Sequence, residues 1–291
     1  MKFQKYIIAL VIFFPIIFGI IISLSPNQHS VKSSSSLRKL GLVRINGVIT
    51  ESESVVQELK SFRLDPSIAG VLLRIDSQGG AVAPCQEIYS EIVRYKESDK
   101  PVVVSMGAIA ASGGYYISAP SSKIFASPGT LTGSIGVIFT SPETKELTDR
   151  LGIGFRTIKS AEYKDIASPH REMTHYEEGL LQELLHDTHD QFITDIASSR
   201  DLELSEVKSL ADGSIFTGRQ ALNKNLIDTL GGFEDALGYL QKLTGVPEGT
   251  RPVENLKQRS LFSRIITETV QDILPFSSSF FQPTGLYYKL K

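Results

Sequence analysis

The sequence predicts an α/β domain, built as a spiral of strand-strand-helix units on a largely parallel sheet and preceded by one N-terminal transmembrane helix. Three observations carry that expectation. Short apolar runs alternate with amphipathic helical patterns between residues 41 and 245. After residue 120, two strand-like runs arrive with only a glycine-containing turn between them before the next helix, which departs from the strict alternation of a doubly wound nucleotide-binding fold. Residues 6–25, YIIALVIFFPIIFGIIISLS, carry no charge and are long enough to cross a hydrocarbon core of roughly 30 Å.

From the N-terminus, Lys2 and Lys5 mark residues 1–5 as cytoplasmic under the positive-inside rule. The apolar stretch at 6–25 exceeds the usual signal-peptide core, and Pro26 follows the small-x-small site Ser23-Leu24-Ser25, so a retained anchor is expected. Residues 26–40 are polar and serine-rich without periodicity and read as a flexible tether. The domain at 41–250 follows, with strand GLVRINGVI, helix ESVVQELKSF, strand GVLLRI, helix APCQEIYSEIVRYK and strand PVVVSM. Past the serine-containing stretch GAIAASGGYYIS come strands KIFAS (123–127) and SIGVIF (134–139), helix PETKELTDRLG, and strand FRTIK (155–159). A long helix at 173–199 and a closing helix, strand and helix within 215–243 complete the domain. In the tail, 251–291, Leu261, Phe262, Ile265, Ile266, Val270, Ile273 and Leu274 recur at helical spacing until Pro275, an amphipathic helix that needs an apolar surface to cover.

Charge and cysteine content narrow the function. Thirty basic residues against 32 acidic ones give a formal net charge of -2, which lacks the basic excess of a phosphate-backbone binder and argues against nucleic acid as a partner. A single cysteine, Cys85, excludes an intramolecular disulfide framework and a multi-cysteine zinc site, and reads as a small buried residue.

Two strand-to-helix junctions could carry chemistry. In RIDSQGGAVAPCQEI, Gly79 and Gly80 let backbone N–H groups face a cleft at a helix N-terminus, where an anion or a developing oxyanion could sit. The spacing matches neither the Walker nor the dinucleotide-binding glycine pattern. In VVVSMGAIAASGGYYIS, Ser112 stands among small residues at a helical start, as an attacking hydroxyl or a tight packing contact would each require. The N–H of Gly113 would complement one from the Gly79-Gly80 loop, giving the two converging donors of acyl-transfer chemistry. A serine hydroxyl also needs a base. His170 in SPHRE remains open on spacing, whereas His186 and His189 in HDTHD read as a solvated helix face. Tyr115 and Tyr116 read as packing of the serine's helix on the sheet, with substrate contact as the alternative.

The order strand–DSQGG–helix, then GAIAASGGYYIS, GSIGVI and SAEYKDIASPHREMT, resembles the signal peptide peptidase A family of serine peptidases over residues 41–245. Gln78 departs from the family, where proline often precedes the glycine pair. The resemblance implies a Clp/crotonase-like fold and a serine-lysine dyad, with Ser112 as nucleophile, Lys164 as general base and Ser134 as the hydroxyl that positions the lysine. It implies no cofactor and no metal. It also implies an endopeptidase of hydrophobic peptides such as remnant signal peptides, anchored in a bacterial inner membrane by a single pass, with its catalytic domain on the periplasmic or extracytoplasmic side. Longer relatives hold two copies of the domain and share each dyad between them, so a single-domain chain is expected to form a ring-shaped homo-oligomer. A crotonase-type acyl-CoA enzyme and a non-catalytic exported scaffold are the alternatives.

Overall fold

The computed structural model of the chain describes residues 38–254 and the backbone of 286–289. The segments expected as membrane anchor and tether, up to residue 37, and as amphipathic helix, 261–274, lie outside the described residues. Among the described residues, no helix is long and apolar enough to cross a membrane. In chain order the elements are β1 (Lys39–Ile49), α1 (Glu53–Leu64), β2 (Ile68–Ala81), α2 (Val82–Val93), β3 (Val102–Ala111), α3 (Gly113–Ser118), β4 (Lys123–Ala126), β5 (Leu131–Gly133), β6 (Ile138–Phe139) and α4 (Lys145–Arg150). They continue with α5 (His175–Arg200), α6 (Leu204–Leu210), β7 (Ile215–Thr217), α7 (Gly218–Asn223), β8 (Thr229–Leu230), α8 (Phe233–Thr244) and β9 (Leu286–Lys289).

Alternation along the central strands sorts the core into two layers. Val43, Ile45, Val71, Leu73, Ile75, Val102, Val104 and Met106 form one cluster with Leu59 and Phe62 of α1, Cys85, Ile88 and Ile92 of α2, and Phe192, Ile193 and Ile196 of α5. The interleaved Leu40, Leu42, Leu72 and Val103 join Ala236, Leu237 and Leu240 of α8. Each fully buried Leu or Ile contributes about 2 kcal/mol, so the period of two on the strands fixes both register and layering. Burial also pushes the Cys85 thiol up to about 12, so it stays a neutral packing group.

The sheet is dominated by parallel pairs: β1 and β3 flank β2, and β4 and β5 both pair with β3. It is therefore a mixed α/β fold with a largely parallel sheet, as expected. β3 divides its partners, using residues 103–105 for β4 and 109–111 for β5, while its ladder with β2 ends at Ser77 and Ala110. Beyond that pair β2 and β3 part, and the turn into α3 sits in the fork.

Two expected strands are corrected. Of SIGVIF only Ile138 and Phe139 are in a strand, because Ser134 has φ 50° and spends its amide on the Ser214 carbonyl at 2.8 Å. FRTIK forms no strand at all; Phe155 and Ile158 are 52% and 93% exposed, so among the described residues the alternation has no sheet to join.

Candidate active site

Ser112 caps α3 with φ 53° and ψ -117°, a backbone conformation that an L-residue adopts only under constraint. The constraint is visible. Its amide donates to the Gly133 carbonyl at 2.7 Å, and its own carbonyl accepts the Tyr116 amide at 2.8 Å. Beneath it, Gly114 lies so close to β2 that a Cβ there would meet the Ser77 carbonyl at 2.6 Å. The helix itself is pinned by Tyr115, whose hydroxyl donates to the Leu226 carbonyl at 2.9 Å, and by Tyr116, which bonds Asp195 at 2.5 Å and stacks on Tyr89. Both tyrosines are buried packing residues. The result is a fully buried Ser112 whose hydroxyl, among the described residues, reaches only the Gly136 carbonyl, at 3.5 Å, the outer limit of a hydrogen bond.

The glycine loop borders the same turn. Gly80 admits no side chain, since a Cβ would stand 1.9 Å from the Ile49 carbonyl oxygen. Gly79 has φ 104° and donates its amide to Ser77 Oγ at 3.1 Å. Ser77 thus ties the two junctions together, bonding Gly79 on one side and abutting Gly114 on the other. Gly113 begins α3 and is buried. Ser134, 7% exposed, is one residue beyond Gly133, the partner of Ser112's amide.

Lys164 stands apart from these groups. It is exposed, and among the described residues its ammonium has no hydrogen-bond or ion-pair partner; no hydrogen bond joins it to Ser112. Its turn is nevertheless well anchored. Ser141 Oγ donates to the Ala167 carbonyl at 2.7 Å, and Thr144 donates its amide to the Pro169 carbonyl at 2.7 Å. Asp165 is held well below the usual carboxylate range, chiefly by hydrogen bonds from Arg171 and then Lys159. Glu177, at the start of α5, is lowered to about 2 by Arg171 and by the Thr174 amide. His170 stacks on Phe155 with ring centroids 3.5 Å apart and places Nδ1 3.3 Å from Thr144 Oγ1, an environment that does not include Ser112.

Sequence reasoning missed three features. Gly114 and Gly136 both shape the serine's surroundings; the GG pair after Ser112 was a readable sign of close packing, but Gly136 gave none. Arg171 carries no sequence sign of its contacts with Asp165 and Glu177, although the capping box of Thr174 and Glu177 has a legible spacing. The four residues of β9 were too few to distinguish from tail. They pair antiparallel with Gly79–Ala81 of β2 and with Ile138–Phe139 of β6, an added strand beside the glycine loop.

A strained, buried serine at a strand–helix junction, next to a glycine loop on an α/β sheet, is an arrangement that serine-nucleophile hydrolases use. The comparisons with known proteins agree and give the particular group. The chain belongs to peptidase family S49, whose family model matches residues 94–247, and it is a serine protease. It is 40% identical over 215 residues to a candidate protease of Synechocystis sp., covering 73% of this chain and 77% of that one. Identity is 35% over 236 residues to a candidate signal peptide peptidase SppA of Enterococcus faecium, 77% and 69% covered. Against Protease 4 of Salmonella typhi it is 32% over 213 residues, 70% of this chain but 34% of the relative.

Proposed function

We propose that this protein is a membrane-anchored serine endopeptidase of Clp/crotonase-like spiral fold that cuts hydrophobic peptides, remnant signal peptides foremost, with Ser112 as nucleophile and Lys164 as general base. The anchor is residues 6–25, placing the catalytic domain on the extracytoplasmic side of the inner membrane. The observation that carries the reading is the strained turn that buries Ser112 yet leaves its hydroxyl weakly bonded.

Lys164 takes the Ser112 proton as Oγ attacks the scissile carbonyl, and returns it to the departing amine when the C–N bond breaks. The Gly113 amide and one from the Gly79–Gly80 loop hold the oxyanion; the Gly79 amide would first have to leave Ser77 Oγ. Water then loses a proton to the Lys164 amine and attacks the acyl-enzyme; the carboxylate product leaves and Ser112 regains its proton. Ser134 orients the amine between these steps.

A lysine amine is ordinarily charged at neutral pH and accepts a proton only when dried. Lys164 is exposed in the single chain, so the drying surface must come from elsewhere. The segment leading to it exposes Leu147, Leu151, Ile153, Phe155, Ile158 and Tyr163, an apolar run of the kind that marks a subunit contact. This supports a ring in which each dyad is completed across an interface. The position of β9 supports extended peptide as the ligand, because main-chain pairing at a strand edge is how such peptides are held.

The test is turnover of a synthetic signal peptide by the full chain, Ser112→Ala and Lys164→Ala, with oligomeric state measured on the same samples. Both variants should lose at least about a thousandfold in kcat with assembly intact. Retained turnover in either would end the dyad, and labelling of Ser112 by a fluorophosphonate with no turnover of acyl-CoA would separate the peptidase from a crotonase-type enzyme.

A further inference from the structure

The turn that carries Lys164 is built around four alternating charges, and their arrangement is more than a surface decoration. Arg171 presents its guanidinium fork to two carboxylates at once. Toward Asp165 it places Nε 3.0 Å from Oδ2 and a terminal nitrogen 2.9 Å from Oδ1; toward Glu177 its two terminal nitrogens lie 2.8 and 2.5 Å from Oε2 and Oε1. The remaining donor capacity goes to the carbonyls of Asp165 and Glu172, at 3.2 and 3.0 Å. Lys159 completes the set, reaching Asp165 Oδ1 and the Glu162 carbonyl, each at 2.6 Å. Exposed ion pairs contribute little, but here the Asp165 and Glu177 side chains are only 12% and 4% exposed and the contact is bidentate on both sides. Glu177 also accepts the Thr174 amide at 2.9 Å, so the clamp joins the lysine turn to the first turn of α5.

We infer that Arg171 is a positioning residue for the reaction: by binding Asp165 and Glu177 together it fixes the turn that carries Lys164 and cancels the charge of the carboxylate on the next residue of the chain. The inference rests on the dyad reading above. Lys159 and Arg171 balance Asp165 and Glu177, leaving the cluster neutral. The other polar groups around the turn are Glu162, Tyr163, Ser168, His170 and Glu172 on the turn itself, Ser141, Thr144 and Lys145 from the segment packed against it, and Tyr176 on α5, whose ring lies 5.5 Å from that of Tyr163; all of them are unchanged in the variants below. Without the guanidinium, the cluster carries a net negative charge one residue from the base, which favours the protonated and inactive amine. Without the Asp165 carboxylate, it carries a net positive charge, which favours the neutral amine. The two changes therefore act in opposite directions, a signature that loss of a merely structural contact does not produce.

The experiment is the pH profile of kcat/KM for a peptide substrate, measured on the full chain, with folding checked by circular dichroism. Arg171→Gln should move the acid limb to higher pH by about one unit and lower kcat more than it raises KM. Asp165→Asn should move the limb to lower pH by a similar amount, and the double variant should return it near the wild-type position. Arg171→Lys keeps the charge without the fork, so it should lower kcat with the limb in place. If Arg171→Gln does not fold, Asp165→Asn carries the test alone. Limbs that stay at the wild-type position, or that move together in one direction, overturn the inference. If Ser112→Ala and Lys164→Ala abolish turnover while these limbs do not move, only this inference fails; if they retain turnover, the dyad itself does.

Discussion

At the scale of single residues, the site depends on places where a side chain is absent as much as on those where one reacts. Ser112 holds a positive φ that costs about 1–3 kcal/mol in a non-glycine residue, and the neighbouring chain must approach closely enough to keep it there. Gly114 permits that approach at the Ser77 carbonyl, and Gly80 permits an equally close one between β2 and the Ile49 carbonyl of β1. Gly80→Ala should therefore push β1 from β2 and destabilise the domain by about 2–3 kcal/mol, read as a lower denaturant midpoint. Gly154, which has nothing within 4 Å of an added Cβ, is the control, and Gly154→Ala should leave the midpoint where it was. Equal effects from both would mean that the close packing at Gly80 is not what holds β1 against β2. This dependence was only half legible in the sequence. Ser112, Gly79, Gly80 and Gly113 are conspicuous as small residues between strand and helix, whereas Lys164 in EYKDI is indistinguishable from a solvated turn without the family resemblance, because Glu162 and Asp165 on either side of it are ordinary surface partners for a lysine.

At the scale of elements, pattern and structure agree where an element finds its partners inside the chain. β1, β2 and β3 alternate, and α1, α2 and α5 present apolar faces, because each buries that face against its neighbours. The two failures, at 134–139 and 155–159, lie on the stretch between the serine and the lysine, where backbone is bent toward the site or left uncovered. β9 is the opposite case, a strand whose four residues gave no pattern and whose place is set by the edges it joins. It lies between Gly79–Ala81 of β2 and Ile138–Phe139 of β6, the track proposed above for an extended substrate. A chain ending at Glu254 should accordingly show a KM for peptide several-fold below that of the full chain, with kcat less affected, and the free peptide TGLYYKLK should compete with substrate. An unchanged KM, in a truncated chain that melts normally, would mean that β9 lies off the substrate's path.

At the scale of the whole molecule, the serine and the lysine have opposite environments, and the contrast bears on how many chains make one site. Ser112 is sealed within the fold of a single chain, while Lys164 sits in solvent on a turn preceded by six exposed apolar side chains. Local rules fail where a sequence answers to something outside the element, and the unpaired alternation at 155–159 fits a surface whose partner is another copy. Closed rings have heterologous interfaces, so each subunit would offer its lysine to one neighbour and its serine to the other. That arrangement has a consequence that a dyad within one chain lacks. Mixing Ser112→Ala with Lys164→Ala subunits in equal amounts, with exchange allowed, should restore activity, because about a quarter of the sites then pair an intact serine from one variant with an intact lysine from the other. Adding Ile158→Asp to both should abolish the recovery by placing a charge in the dried contact. Two inactive variants that stay inactive after exchange, with mixed rings demonstrated by mass, would place serine and lysine in the same chain and leave the exposed apolar run to another partner.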